Sequence, residues 1–294
     1  MMNQNKKKFF ANNHYSGYLF IAPQILLMLI FIIYPVIKGF KMSFYEVYGM
    51  DSYFVGFENF KNLFTDPVFL KSIFNTILFV VAIVVLTIVF ALFVATSVFD
   101  KNSKYVSFIR GSYYLPVMVS MVVMSIIWNF LLNPSNGLIS YMLGNAGIKD
   151  VNLLGNPMTV MPVIIFVTFV GNVGQAIILY LATMIGLPED YFEAAQLDGA
   201  TRWQRIKYIL IPLMKPTTAY LTVINIIAVL KIFVVIQLLT GGGPNNASVT
   251  MMYYLYQNAF VYNNTGMASS IGVLMFIIAL LFSIPQLKSF LKSK

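Results

Sequence analysis

Thr168, Gly171, Asn172 and Gln175 fall at offsets 0, 3, 4 and 7, so in a helix they share one face. Asn225, Ala228, Val229 and Ile232 repeat those offsets further along the chain. Both stretches are otherwise apolar. An amide in such a setting donates and accepts hydrogen bonds, which suits a path for a hydroxyl-rich solute or, alternatively, glue between helices. Between the two faces lies Glu193 to Pro216, EAAQLDGATRWQRIKYILIPLMKP, the one long polar interval of the second half. Read from its residues alone, it is either a loop that lies on a membrane surface and only joins two spans or one with a task of its own. No Gly-x-x-x-x-Gly-Lys-Ser/Thr phosphate loop is present, no His/Cys/carboxylate cluster has metal-ligand spacing, and no Ser, His and Asp form a triad. The chain therefore reads as no enzyme, with any energy drawn from an ion gradient or a partner.

The elements that position these residues are set by composition. Of 294 residues 59% are hydrophobic and 10% charged, more apolar surface than a soluble domain can bury, so the main solvent is lipid. The 26 Phe and 18 Tyr suit membrane interfaces, and the absence of Cys excludes disulfides and thiol catalysis. Six apolar stretches are each near the roughly 20 residues needed to cross a bilayer: 18–39, 73–97, 114–132, 158–184, 217–239 and 268–287. With six crossings, Lys6, Lys7, Lys8, Lys101, Lys104, Arg110, Arg202, Arg205, Lys207, Lys215, Lys288, Lys292 and Lys294 share one side. Lys38, Lys41, Lys61, Lys71 and Lys149 take the other. Thirteen against five places both termini and the Glu193 loop in the cytoplasm. Topology thus accounts for the net charge of +9, and nucleic acid is not required as a partner. The spans contain no Asp or Glu, and Lys231 is the only charge well inside one, as a structural cation or as a pathway residue. His14, the single histidine, sits in the basic tail.

Local signals divide the Glu193 interval into two short helices. Pro188, Glu189 and Asp190 open the first, and Asp198-Gly199 closes it with Gly199 in the left-handed conformation. Thr201 and Gln204 have capping-box spacing for the second, which has a basic side (Arg202, Arg205, Lys207) and an apolar side. Pro212 and Pro216 then bend it into a span. Asp66-Pro67 is a helix opening of the same kind.

Glu193-Ala194-Ala195, three residues, Gly199, and after nine more Ile209-x-x-Pro212 resemble the EAA loop of the membrane subunits of bacterial ABC importers. The likeness extends to FVGFENFKNLF (Phe54 to Phe64), Phe74-Asn75-Thr76, Tyr114-Leu115-Pro116, Ile127-Trp128 and Leu239-Thr240-Gly241-Gly242-Gly243-Pro244. These look like the maltose-type sugar-permease branch. The resemblance implies an all-α integral membrane protein with the six-helix type I importer permease fold. Residues 1–17 would form a basic cytoplasmic tail, 18–288 the permease domain with a coupling loop at 185–216, and 289–294 a second tail.

It further implies a second homologous permease, two ATPase subunits and an external solute-binding protein as partners. ATP and Mg would be bound by the ATPases, with no cofactor in this chain. Glu193, Ala194, Ala195, Asp198 and Gly199 would dock on the ATPase. The family's sugar site maps onto Thr168, Gly171, Asn172, Gln175, Asn225, Ala228, Val229 and Ile232, with identities that depart from the maltose pattern at most positions. The short first outer loop makes it a minimal six-span form. The readings set against a sugar are a charged solute such as glycerol phosphate, an ion-coupled secondary carrier and a membrane scaffold.

Overall fold

The computed structural model describes residues 16–48, 51–147 and 152–292. Lys6, Lys7, Lys8, His14, Lys149 and Lys294 lie outside the described residues, as does nearly all of the 1–17 tail. Four helices cross on length and composition: α1 (Phe20–Met42), α3 (Pro67–Ser97), α7 (Val160–Ile185) and α13, whose membrane part is Thr265–Ile284. Two bent pairs complete six: α4 (Ser103–Met118) with α5 (Met121–Leu131), and α9 (Arg202–Leu213) with α10 (Lys215–Leu230). Short helices connect them: α2 (Glu58–Thr65), α6 (Leu138–Asn145), α8 (Asp190–Leu197), α11 (Val234–Leu239) and α12 (Met251–Tyr256). A helical bundle is what lipid demands, because each helix satisfies its own backbone hydrogen bonds.

The long central helices α3 and α7 are the spine. Asp66 starts α3 by accepting from the Val68 amide at 2.8 Å, with Pro67 in the first turn, where its missing N–H goes unused. The helix then runs 31 residues, about 46 Å at 1.5 Å per residue. Its buried stripe, including Phe79, Ile83 and Ala91, packs against Ile164, Val167 and Ile177 of α7. α1 is the opposite case: none of its crossing window is buried within this chain, so lipid or another subunit must cover it.

The third span is not the single helix that the 114–132 run suggests. Its two halves meet at 89°. Pro116 weakens the end of α4, Val119 turns extended, and Ser120 caps α5 by accepting from the Val123 amide at 3.3 Å. The fifth span also departs from 217–239. α10 ends at Leu230 with Lys231 as its C-cap, and α11 restarts after Phe233, whose ring lies 4.4 Å from that of Tyr256 and is stacked on Tyr253 at 6.1 Å. One feature outside the all-α expectation is an antiparallel hairpin, β1 (Tyr45–Tyr48) with β2 (Asp51–Phe54). Tyr45 and Phe54 face each other across it at 5.4 Å, the aromatic cross-strand pairing that favours a ribbon.

At the end of α3 remote from Ser97, polar residues hold the 241–250 loop. Asn75 donates to the Val249 carbonyl at 2.9 Å, Thr76 Oγ1 accepts from the Met251 amide at 2.9 Å, and Lys71 donates to the Asn245 carbonyl at 2.7 Å. Gly241 and Gly242 adopt φ of 56° and 84°, which glycine takes without steric cost. Tyr254 of α12, outside the crossing helices, donates its hydroxyl to Asp66. Burial first, and then this bond, push the Tyr254 phenol up from its ordinary 10 to about 12. The folded state therefore holds the proton more tightly than the unfolded state. Its contribution is complete below pH 10 and is lost as pH rises from 10 through 12. Thermal unfolding recorded against pH should show this alkaline fall in wild type and a shallower one in Tyr254→Phe.

Candidate functional site

The polar loop forms as its sequence signals indicate. α8 closes at Gly199, φ 78°, whose amide donates to the Gln196 carbonyl at 3.0 Å. Thr201 and Gln204 make a reciprocal capping box: the Thr201 amide donates to Gln204 Oε1 at 2.7 Å, and the Gln204 amide to Thr201 Oγ1 at 3.4 Å. Glu193, Ala194, Asp198 and Gly199 are exposed, and Ala195 is half-buried. Around them Leu197 is 89% exposed and Trp203 67%, large apolar groups that a free surface seldom leaves in water.

The basic side of α9 was not recognisable as an internal clamp. Arg202 Nη2 donates to the carbonyls of Thr96, Ser97 and Phe99 at 3.2, 3.1 and 2.9 Å, satisfying carbonyls left free by the end of α3. Arg205 pairs with Asp100 at 2.8 Å and lies over the Phe99 ring at 5.7 Å. Phe99 meets Phe192 of α8 at 5.0 Å. The loop is thus tied directly to the end of α3. The acceptors are backbone carbonyls about a hundred residues away, which no side-chain pattern announces.

Deeper in the bundle, α7 and α10 bring their amides to one cavity of about 190 Å³. Asn172, Asn225, Ala228, Val229 and Ile232 line it, together with Ile83, Met121, Lys231 and Phe233. Asn172 Nδ2 donates to the Thr168 carbonyl and Asn225 Nδ2 to the Leu221 carbonyl, both at 2.8 Å and both one turn back. Each amide keeps its oxygen and a second N–H for a ligand. The other three positions are placed differently. Thr168 is fully buried, with an Oγ1 that has no hydrogen-bond partner. Gly171 is covered by Met121, whose Cε would lie 2.6 Å from an added Cβ. Gln175 is exposed and does not line the cavity. Met121 and Phe233 carried no sequence signal, because their places follow from the two helix breaks. No group of three metal-ligating side chains occurs among the described residues.

The family described as binding-protein-dependent transport system inner membrane component matches residues 68–287. The chain belongs to this family. It is 32% identical to the probable ABC transporter permease protein YurN of Bacillus subtilis (strain 168), over 100% of this chain and 99% of that one. It is 29% identical to the arabinooligosaccharides transport system permease protein AraP of the same organism, covering 95% and 90%. The crystal structure of a bacterial ABC transporter that imports the acidic polysaccharide alginate superposes with a TM-score of 0.83 at 27% identity, covering 94% of each chain. A bacterial alginate ABC transporter in complex with an alginate pentasaccharide-bound periplasmic protein gives 0.78 at 27% identity, covering 92% of each. The permease is therefore an integral membrane transport subunit with the type I importer fold.

Proposed function

We propose that this permease forms half of the translocation path of an ATP-driven importer for a sugar or oligosaccharide delivered by an external solute-binding protein. A second homologous permease completes the path, and two ATPase subunits bind ATP and Mg, one of them docking on Glu193, Ala194, Ala195, Asp198 and Gly199. The assembly sits in the bacterial cytoplasmic membrane, with both termini and the coupling loop in the cytoplasm. The observation that carries this reading is the convergence of Asn172 and Asn225 on one cavity, in a chain whose exposed loop is tied by Arg202 to the end of α3. Relatives named for arabinooligosaccharides and for an acidic polysaccharide support a carbohydrate. A sugar hydroxyl between the two amides replaces bonds to water, each worth about 1 kcal/mol.

The test is uptake into proteoliposomes holding both permeases, the ATPases and the binding protein, with a panel of labelled oligosaccharides. Uptake should require ATP, and the double variant N172A/N225A should lower it about thirtyfold at limiting sugar. Uptake that proceeds without the ATPases would instead identify an autonomous carrier.

A further inference from the structure

Lys231 is the one cation in the amide-lined cavity. It follows the last residue of α10, which starts at Lys215 and runs 16 residues, so the lysine lies about 24 Å into the bundle. Its backbone N–H is bonded to the Ala228 and Val229 carbonyls, and its side chain is exposed to the cavity, without an acidic partner. None of the helices packed around the cavity can supply one. α3, α5, α7, α10 and α11 contain no Asp or Glu, and neither does α12. The nine acidic residues among those described lie at the ends of the bundle, in the hairpin, in α2 or in the coupling loop. The carbonyl end of α10 makes a cation tolerable there but does not neutralise it. An intramembrane cation that faces a cavity of about 190 Å³, with no counter-charge from the described residues of this chain, suits an anionic ligand.

The surroundings define that anion. Asn172 and Asn225 present amide oxygens and N–H groups, which pair with hydroxyls, and Ile83, Met121, Val229 and Phe233 give apolar walls for the C–H faces of a ring. We propose that Lys231 binds the carboxylate of an acidic sugar, and that this permease carries uronate-containing oligosaccharides. The proposal rests on the importer reading above and narrows its substrate. The lysine acts here as a specificity determinant: a charge-assisted bond in a site of low dielectric separates a uronate from the same ring bearing a neutral hydroxymethyl group.

The experiment uses the complete importer in proteoliposomes with its binding protein, and it offers uronate trisaccharides alongside their carboxyl-reduced neutral counterparts. Wild type should take up the acidic set with ATP. In Lys231→Gln the ratio of acidic to neutral uptake should fall tenfold or more, through a raised KM, and Lys231→Arg should restore most of it. ATP-dependent uptake of neutral sugars alone, or an unchanged ratio in Lys231→Gln, overturns the proposal and leaves the importer reading standing. Equal loss of both sets, or loss of subunit assembly on size-exclusion chromatography, shows a lysine paired with the second permease and also overturns it. Absence of ATP-dependent uptake for every carbohydrate overturns the importer reading itself.

Discussion

Replacing Gly174 by leucine is expected to abolish the folded permease, and alanine alone should lower its melting temperature by at least about 5 °C. A Cβ at this position would lie 2.0 Å from the Tyr113 carbonyl oxygen, 2.9 Å from its carbon and 2.8 Å from Val117 Cγ2. Two of those atoms are backbone and cannot swing aside, so α4 and α7 would have to separate. That separation would also pull apart the Phe90, Tyr113 and Phe169 rings, now 5.4 to 5.9 Å apart, that seal the same layer. In lipid, close approach at a small residue is what holds helices together, because no hydrophobic effect rewards burial against another helix. Gly171→Ala is the control. Its Cβ meets only the Met121 thioether, at 2.6 and 3.2 Å, a flexible end that can rotate away. Thermal stability of the detergent-solubilised protein, followed by fluorescence size-exclusion, decides the matter. A Gly174→Ala variant as stable as wild type would show that the α4–α7 contact is looser than described.

Gly199→Val is expected to cut ATP-driven uptake more than tenfold while the subunit still inserts and folds. Nothing lies within 4 Å of an added Cβ there, so space is not the constraint. The constraint is φ 78°, which costs a β-branched residue about 1–2 kcal/mol and which valine can relieve by re-aiming the chain between α8 and α9. Such a shift would move Leu197 relative to Trp203 and disturb the Thr201–Gln204 capping box. The exposed face would then no longer match the ATPase surface proposed to dock on it. Gly199→Asn should keep at least half of wild-type uptake, since asparagine tolerates the left-handed region. Uptake and ATP hydrolysis measured on the same proteoliposomes separate lost coupling from lost assembly. Wild-type coupling in Gly199→Val would show that the corner is free to deform.

What was legible in the chain was local. The Asp66-Pro67 opening, the Gly199 corner and the Thr201–Gln204 box each involve residues within four positions of one another, and each formed as its spacing indicates. The break at Val119-Ser120 had a local cause in Pro116 and Ser120, yet a hydropathy count over 114–132 passes straight through it. Apolar content measures affinity for lipid and is blind to direction. The hairpin was hidden for a related reason, since four-residue strands carry too few alternations to stand out within an amphiphilic stretch.

The sequence by itself determined a lipid-solvated helical bundle of six crossings, with a polar two-helix loop between two amide-bearing helices. Those properties sum over residues or depend on near neighbours, so order along the chain is enough. Only the tertiary structure decided which polar groups share a space. It buried Thr168, covered Gly171 with Met121 and left Gln175 outside, although all three lie on the same face as Asn172. It turned Arg202 inward onto carbonyls of residues 96 to 99. It also ended α10 at Leu230, just before Lys231, where stacking of Phe233 on Tyr253 and its tilted contact with Tyr256 of a later helix outweigh the helical continuity of an apolar run. These outcomes depend on contacts between distant segments, whose energies appear only once the helices are packed.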